Sequence, residues 1–411
     1  MGGNTSKAIA FMLASNLFDS APAETIPARR IGVIGGGQLA WMMAAGAKKL
    51  GLELIVQTPQ ATDPAAAIAT EIILAPIDDA AATAELASRC DLITFENEFV
   101  NLPALEKLAA QGTKFYPSLA AIKPLLDKYE QRLYLQKTGL PTPRFTALES
   151  EADGLHLAEK VAEIGLPLVL KTRRHGYDGQ GTFVLKTLTA VEQTWQQLNY
   201  APVLLEEFVP FARELAIMVA RSQLKQVIAY PVVETQQVDQ VCRRVIATAK
   251  VDLLVAEEIG AIARTVMDSL QAVGVFGIEF FLTQDGRVLV NEIAPRTHNS
   301  GHYSLDACRT SQFEQHLRAV SGLSLGSPAI ACQQAVMVNL LGYKQAARDY
   351  AKQRHQLSQI PNAHVYWYGK TESYPGRKLG HVTVLLGTQG QVAERTAADV
   401  IQQIESLWYP A

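Results

Sequence analysis

From residue 29 onward, short apolar runs alternate with longer segments whose apolar residues recur at helical spacing. Arg30-Ile31-Gly32-Val33-Ile34 reads as a buried strand, and Gly35 to Ala40 as a glycine turn into a helix from Trp41 to Leu50. Leu52 to Gln57 and Asp91 to Phe95 are further strands. Strands alternating with helices predict a parallel, doubly wound α/β sheet over 29–122. A charged, periodic helix from Lys123 to Lys137 follows, and Gly139-Leu140-Pro141-Thr142-Pro143 breaks it.

Over 123–325 the rhythm changes. Helices are expected at Glu151–Ile164, Ala190–Leu198 and Ile262–Ala272. Strands are expected at Leu168–Leu170, Phe183–Leu185, Val203–Val209, Arg213–Ala220, Val227–Val233, Gly274–Leu282 and Val288–Ile293. Asp285-Gly286 between the last two is a strong hairpin signal. This segment therefore reads as an antiparallel α+β domain. A third domain, 326–411, carries strands at Ala335–Leu341, Ala363–Tyr368 and His381–Leu386. Residues 1–28 are expected to be a frayed extension or short helix. The apolar run Ala8 to Ala14 has only Lys7 and the amino terminus as positive charge ahead of it, unlike a secretory signal.

Composition narrows the function classes. A chain of 411 residues, 48% hydrophobic and 19% charged, is long enough for two or three packed domains. A net charge of −3 gives no overall attraction to nucleic acid or to an anionic membrane, so phosphate recognition has to be local. No apolar run reaches the roughly 18 residues that span a bilayer. Cys90, Cys242, Cys308 and Cys332 are far apart and form no Cys-x-x-Cys pair, which fits reduced thiols of a cytoplasmic protein.

Several segments carry candidate chemistry. The apolar strand Leu168-Val169-Leu170 enters Lys171, and a glycine-rich turn through Gly176-Tyr177-Asp178-Gly179-Gln180-Gly181-Thr182 leads into the next strand. Such a turn lets backbone N–H groups approach phosphate oxygens, because glycine has no side chain in the way. It lacks the order of a P-loop. Gly35, Gly37 and Ala40 fit the dinucleotide fingerprint, but the second strand ends without an acid for a ribose, so a phosphorylated substrate suits that turn as well as a cofactor does. Glu96 and Glu98 stand at a strand's carboxyl end, where α/β ligands bind. Glu279 faces Asn291 and Glu292 across the hairpin. Acids in such apolar strands are costly without a cation, and carboxylate and amide oxygens near a triphosphate suit Mg²⁺. The aperiodic, polar loop Ala294 to His302 follows, and the cations of Gly369 to Lys378 could hold a phosphate.

In order along the chain, these segments resemble the ATP-grasp superfamily, and within it the 5-(carboxyamino)imidazole ribonucleotide synthases. The most specific pieces are His175-Gly176-Tyr177-Asp178-Gly179, Asn291-Glu292-Ile293-Ala294-Pro295-Arg296, His298-Asn299-Ser300-Gly301-His302 and Pro375-Gly376-Arg377-Lys378-Leu379-Gly380-His381. The resemblance runs from about Arg30 to the C-terminus. It implies a Rossmann-like N-terminal domain, a central ATP-grasp domain and a small C-terminal domain. It further implies ATP and Mg²⁺ as cofactors, 5-aminoimidazole ribonucleotide and bicarbonate as substrates, and a homodimer.

By the same resemblance, Lys128 and Lys171 would bind ATP phosphates, and the loop Gly176 to Thr182 would close over them. Glu206, Glu207, Phe208 and Val209 would form the adenine hinge, and Glu214 would take the ribose. Glu279 and Glu292 would hold Mg²⁺ beside Asn291. Gln38, Leu39, Glu96 and Asn299 would contact the ribonucleotide, with Lys370, Arg377 and Lys378 on its 5′-phosphate. Tyr177, Asp178 and Arg296 would be catalytic. Two positions depart from the family pattern: Gln180 stands where a cation is common, with Arg173 or Arg174 as possible substitutes, and the stretch Glu234 to Gln237 lacks a histidine. A formate-using glycinamide ribonucleotide transformylase and a non-catalytic nucleotide-binding regulator are the alternative readings.

Overall fold

The computed structural model describes residues 28–174, 176, 181–388 and 395–409. Residues 1–27 and most of the glycine loop, including Tyr177, Asp178, Gly179 and Gln180, lie outside the described residues.

The N-terminal sheet contains β1 (Arg30–Ile34), β2 (Glu53–Thr58), β3 (Glu71–Leu74) and β4 (Leu92–Phe95), ordered β3-β2-β1-β4 and parallel throughout. The helix expected from Trp41 is two helices, α1 (Gln38–Met42) and α2 (Ala44–Leu50), which meet at Met43. Strand β3 and helices α3 (Ala80–Arg89) and α4 (Leu102–Ala110) fall in segments where no element was expected. The local signal for α3 was Asp79, whose carboxylate accepts from the N–H groups of Ala81 and Ala82. After α5 (Leu119–Ile122), the expected helix from Lys123 is one 3₁₀ turn and then α6 (Lys128–Lys137), capped by Asp127.

A small antiparallel sheet follows, ordered β5 (Phe145–Leu148), β8 (Val203–Glu207), β6 (Leu168–Thr172) and β7 (Thr182–Leu185). Helices α7 (Leu157–Ile164) and α8 (Leu188–Gln197) cover one face around buried Trp195.

The largest sheet has nine strands: β9 (Phe211–Arg221), β10 (Val227–Ala229), β11 (Val233–Val238), β12 (Val241–Ala247), β13 (Gly274–Thr283), β14 (Val288–Ala294), β15 (Cys332–Leu341), β16 (Ala363–Trp367) and β17 (Lys378–Thr388). Its order is β14-β13-β9-β11-β12-β15-β17-β16, with β10 on β9. The strand expected over Val227–Val233 is therefore split. Pro231 has no N–H for a ladder, and Tyr230 turns inward to donate its hydroxyl to the Thr310 carbonyl. β12 was not expected, and α9 (Leu253–Ser269) starts well before Ile262. β15 pairs with β12, so the C-terminal strands extend the central sheet. Helices α10 (Ser304–Ala307) and α11 (Gln312–Val320) precede β15, while α12 (Ala351–Ser358) and α13 (Ala397–Trp408) pack with a core around Trp408. None of the helices among the described residues is long and apolar enough to cross a membrane.

Candidate active site

Helix α6 and strands β6, β8 and β14 bring the cationic part of the site together. Lys128, the first residue of α6, reaches the Glu292 carboxylate at 3.1 Å. Lys171, near the end of β6, lies 2.6 Å from Glu206 and donates to Asn291 Oδ1 at 3.4 Å. Glu206 is also paired with Arg132, and both side chains are buried. Burial raises the Glu206 pKa, but Arg132 and Lys171 outweigh it and bring it to about 2. Burial also lowers the Lys171 pKa, with Glu206 opposing. The root of the glycine loop is fixed to the start of α6. The Lys128 N–H donates to the Arg173 carbonyl, and Arg173 Nε lies 2.9 Å from Asp127.

The acid pair stands on β13 and β14. Glu279 and Glu292 are direct cross-strand partners. The register then slips: Phe280 pairs with Val290, which leaves Asn291 as the extra residue of a β-bulge. Two consecutive side chains, Asn291 and Glu292, are consequently both half-buried towards the lysines. Burial raises the Glu279 pKa to about 8, with the charges of Glu292 and Glu214 adding to the effect. For Glu292, burial is overcome by Lys128 and Lys171, and the value falls to about 2. Glu214, on β9, is raised to about 7 by burial and accepts a hydrogen bond from Gln237 at 3.2 Å. Among the described residues, no group of three or more His, Cys, Asp or Glu side chains is arranged to hold a metal by itself.

The N-terminal and C-terminal segments meet beside this cluster. Gly35 has a φ of +110°, and a Cβ on Gly37 would come within 2.4 Å of Glu96 Oε1. The glycine turn thus lies directly against Glu96, whose Oε1 accepts the Leu39 N–H at 3.3 Å. Burial raises the Glu96 pKa, opposed by Arg296 and that N–H group. Arg296 grips Glu98 at 2.6 and 3.0 Å. Lys370 donates to Gln38 Oε1 and to the Lys378 carbonyl, both at 2.9 Å, and so ties the basic loop to the start of α1. Arg377 is bound to the Glu372 carbonyl and lies over the Tyr374 ring.

Most of the expected site residues within the described chain converge here. Some do so differently from the expectation. The Glu206 carboxylate turns inward to Arg132 and Lys171, Glu207 is held by Arg144, and Val209 is buried, so only Phe208 of that quartet is exposed. The Asn299 amide is buried and exchanges hydrogen bonds with Asn339 at 2.6 and 2.9 Å. Arg173 is engaged by Asp127 and Glu149 and lies 5.0 Å over the Tyr129 ring, while Gln180 lies outside the described residues. Sequence reasoning missed Arg132, Gln131, Gln312 and His316, four polar side chains that are all buried. The helix expected from Lys123 reads as charged and periodic, no element was expected over α11, and only the polar density along α11 could have signalled the last two.

Known proteins match the chain along nearly its whole length. Residues 28–124 match the ribonucleotide synthetase preATP-grasp domain family, 133–313 the ATP-grasp domain family, and 335–395 the phosphoribosylaminoimidazole carboxylase C-terminal domain family. The chain is 54% identical over 383 residues to N5-carboxyaminoimidazole ribonucleotide synthase of Synechococcus elongatus, covering 93% of this chain and 96% of that protein. It is 51% identical to the Synechocystis enzyme of the same name, covering 92% and 98%. Among solved structures, N5-carboxyaminoimidazole synthase of Aspergillus clavatus, in complex with ADP and 5-aminoimidazole ribonucleotide, superposes with a TM-score of 0.83 at 32% identity, covering 92% of this chain and 99% of that one.

Proposed function

The chain belongs to the N5-carboxyaminoimidazole ribonucleotide synthase family of ATP-grasp ligases, and from that premise we propose how its own residues perform the reaction. It is an ATP-dependent ligase that carboxylates 5-aminoimidazole ribonucleotide in purine biosynthesis. The carboxyl donor is bicarbonate. The γ-phosphoryl group of ATP passes to a bicarbonate oxygen, which gives ADP and carboxyphosphate. The exocyclic amine of the ribonucleotide then bonds to the carboxyl carbon, phosphate leaves, and the amine gives up a proton.

Phosphoryl transfer depends on positioning and charge neutralisation more than on a nucleophilic side chain. Lys128 and Lys171 hold the ATP phosphates, supported by their placement on Glu292, Glu206 and Asn291. The backbone of Glu206 to Val209 receives adenine, with Phe208 as its one exposed side chain, and Glu214 takes the ribose. Glu279 and Glu292 would hold Mg²⁺, with Asn291 next to them. The donor set fits: two facing carboxylates repel each other without a cation, and Mg²⁺ is usually bound by one or two carboxylates plus water and phosphate oxygens. When bound, the ion neutralises charge that develops on the transferring phosphoryl group.

The ribonucleotide sits against Gln38, Leu39, Glu96 and Asn299, with its phosphate on Lys370, Arg377 and Lys378. Arg296 stabilises the carboxylated intermediate. By resemblance, Gly176 to Thr182 would cover the reactants and exclude water from carboxyphosphate, with Tyr177 for the imidazole and Asp178 as the proton acceptor. The protein works as a cytoplasmic homodimer, a reading that the four free cysteines support for the compartment and resemblance supports for the dimer.

The observation that carries these assignments is the convergence of Lys128, Lys171, Asn291, Glu292 and Glu279 from four separate elements. The test is ADP release from Mg²⁺-ATP and bicarbonate, with and without 5-aminoimidazole ribonucleotide. Glycinamide ribonucleotide with formate is the control. Stimulation by 5-aminoimidazole ribonucleotide alone is expected. Stimulation by the control pair would overturn the substrate reading.

A further inference from the structure

β14 is the terminal strand of the nine-stranded sheet, so one row of its backbone groups has no strand partner. The Pro141 carbonyl accepts the Val290 N–H at 2.9 Å, and a side-chain row on α6 takes the neighbouring places. Gln131 donates to the Ile293 carbonyl at 3.0 Å and accepts the Ile293 N–H at 2.8 Å, as a neighbouring strand would. Arg132 donates to the Val290 carbonyl at 3.4 Å and to the Asn291 carbonyl at 2.7 Å. Asn291 is the bulged residue, and a bulge disrupts the ladder around it. The same guanidinium is paired with buried Glu206, whose other oxygen holds Lys171 at 2.6 Å. Lys128, one turn earlier on α6, reaches Glu292.

We propose that Arg132 is a positioning residue for nucleotide binding. Buried beneath the site, it fixes the Asn291 bulge on one side and, through Glu206, the Lys171 ammonium on the other. Arg132 touches no ligand itself, since only 3% of its side chain is exposed. Its planar fork suits this task, because it can satisfy a carboxylate and two carbonyls at once. A lysine or methionine there would leave at least one of those groups unpaired in the interior.

This inference rests on the reading of Lys171, Asn291 and Glu292 as the phosphate and metal site. It is tested by calorimetric ADP binding without metal, by ATP and ribonucleotide KM values, and by thermal unfolding of the full chain. Arg132→Met should weaken ADP binding and raise the ATP KM about ten- to a hundredfold, the usual effect of removing a partner that orients a ligating group. The ribonucleotide KM should stay within about twofold of wild type. Leu135→Ala, a buried apolar truncation on the same helix, is the stability control: it should lower the Tm while leaving ADP affinity unchanged. If Arg132→Met does not fold, Arg132→Lys, which keeps a cation beside Glu206 but cannot reach both carbonyls as well, should show a loss of ADP affinity in the same direction. Wild-type ADP affinity in the Arg132 variants overturns the inference, as does an equal loss in Leu135→Ala. If Lys171→Ala itself leaves ADP affinity unchanged, the underlying site reading fails instead.

Discussion

Glu279 and Glu292 face each other across β13 and β14, yet their environments drive them in opposite directions. Burial and the neighbouring acids push Glu279 up to about 8, while Lys128 and Lys171 overcome burial to bring Glu292 down to about 2. One carboxylate is already charge-balanced by protein. For the other, Lys378 and Lys128 offset burial and the neighbouring acids only in part, and that is the condition a divalent cation with bound phosphates would relieve. Glu292→Gln should therefore lower kcat by about 10²–10³-fold, the scale for losing one group that stabilises transition-state charge, and raise the Mg²⁺ concentration needed for half-maximal rate. Full activity with an unchanged Mg²⁺ profile would exclude Glu292 from the metal site.

Lys370 and Arg377 belong to the basic loop, and Lys370 is docked on Gln38 at the N-terminal turn. Lys370→Ala and Arg377→Ala should each raise the ribonucleotide KM. A hydrogen bond from a cation is worth about 1.5–3 kcal/mol, or roughly ten- to a hundredfold. The ATP KM should move much less. Equal changes in both constants would count against the phosphate assignment.

Gly37 lies so close to Glu96 that a methyl group there would come within 2.4 Å of its carboxylate oxygen. Gly37→Ala should displace Glu96 from the Leu39 N–H and weaken ribonucleotide binding, with ADP affinity near wild type. Calorimetric titration of both ligands checks this. Unaltered ribonucleotide affinity would place Glu96 outside the substrate site.

His316, on α11, ties β13 of the central sheet to β4 of the N-terminal sheet. Its Nδ1 accepts the Val275 N–H at 3.1 Å, so Nε2 carries the proton and donates to Thr94 Oγ1 at 2.7 Å. Burial brings its pKa down to about 4. The unfolded chain, with an ordinary value near 6.5, binds the proton more readily between those limits. Stability should therefore fall as pH drops from about 6.5 to 4. Denaturant unfolding across that range should show a smaller slope in His316→Asn. An identical slope in both proteins would remove His316 from the acid response.

Legibility in the sequence followed how local each determinant was. The glycine turn before Gln38, the strand into Lys171, the Asp285-Gly286 hairpin and the cationic loop near Arg377 are written in contiguous residues, and all appear at or near their expected places. The α/β order of the first domain and the antiparallel character of the second follow from apolar periodicity in the same way. The family resemblance also rests on short contiguous motifs, and the comparisons bear it out.

Tertiary structure decided what depends on distant partners. β12 and β15 pair across 326, which joins the last strands to the central sheet. The expected strand from Val227 splits because Tyr230 finds a partner at Thr310, 80 residues away. Strict alternation along β14 would send Asn291 and Glu292 to opposite faces. The register slip against Phe280 turns both towards lysines, and Arg132 meets the freed Asn291 carbonyl from a helix over 150 residues earlier. Periodicity records which residues prefer the interior, but only the folded chain fixes which buried charge lies against which, because that is set by contacts between segments with no sequence signal in common.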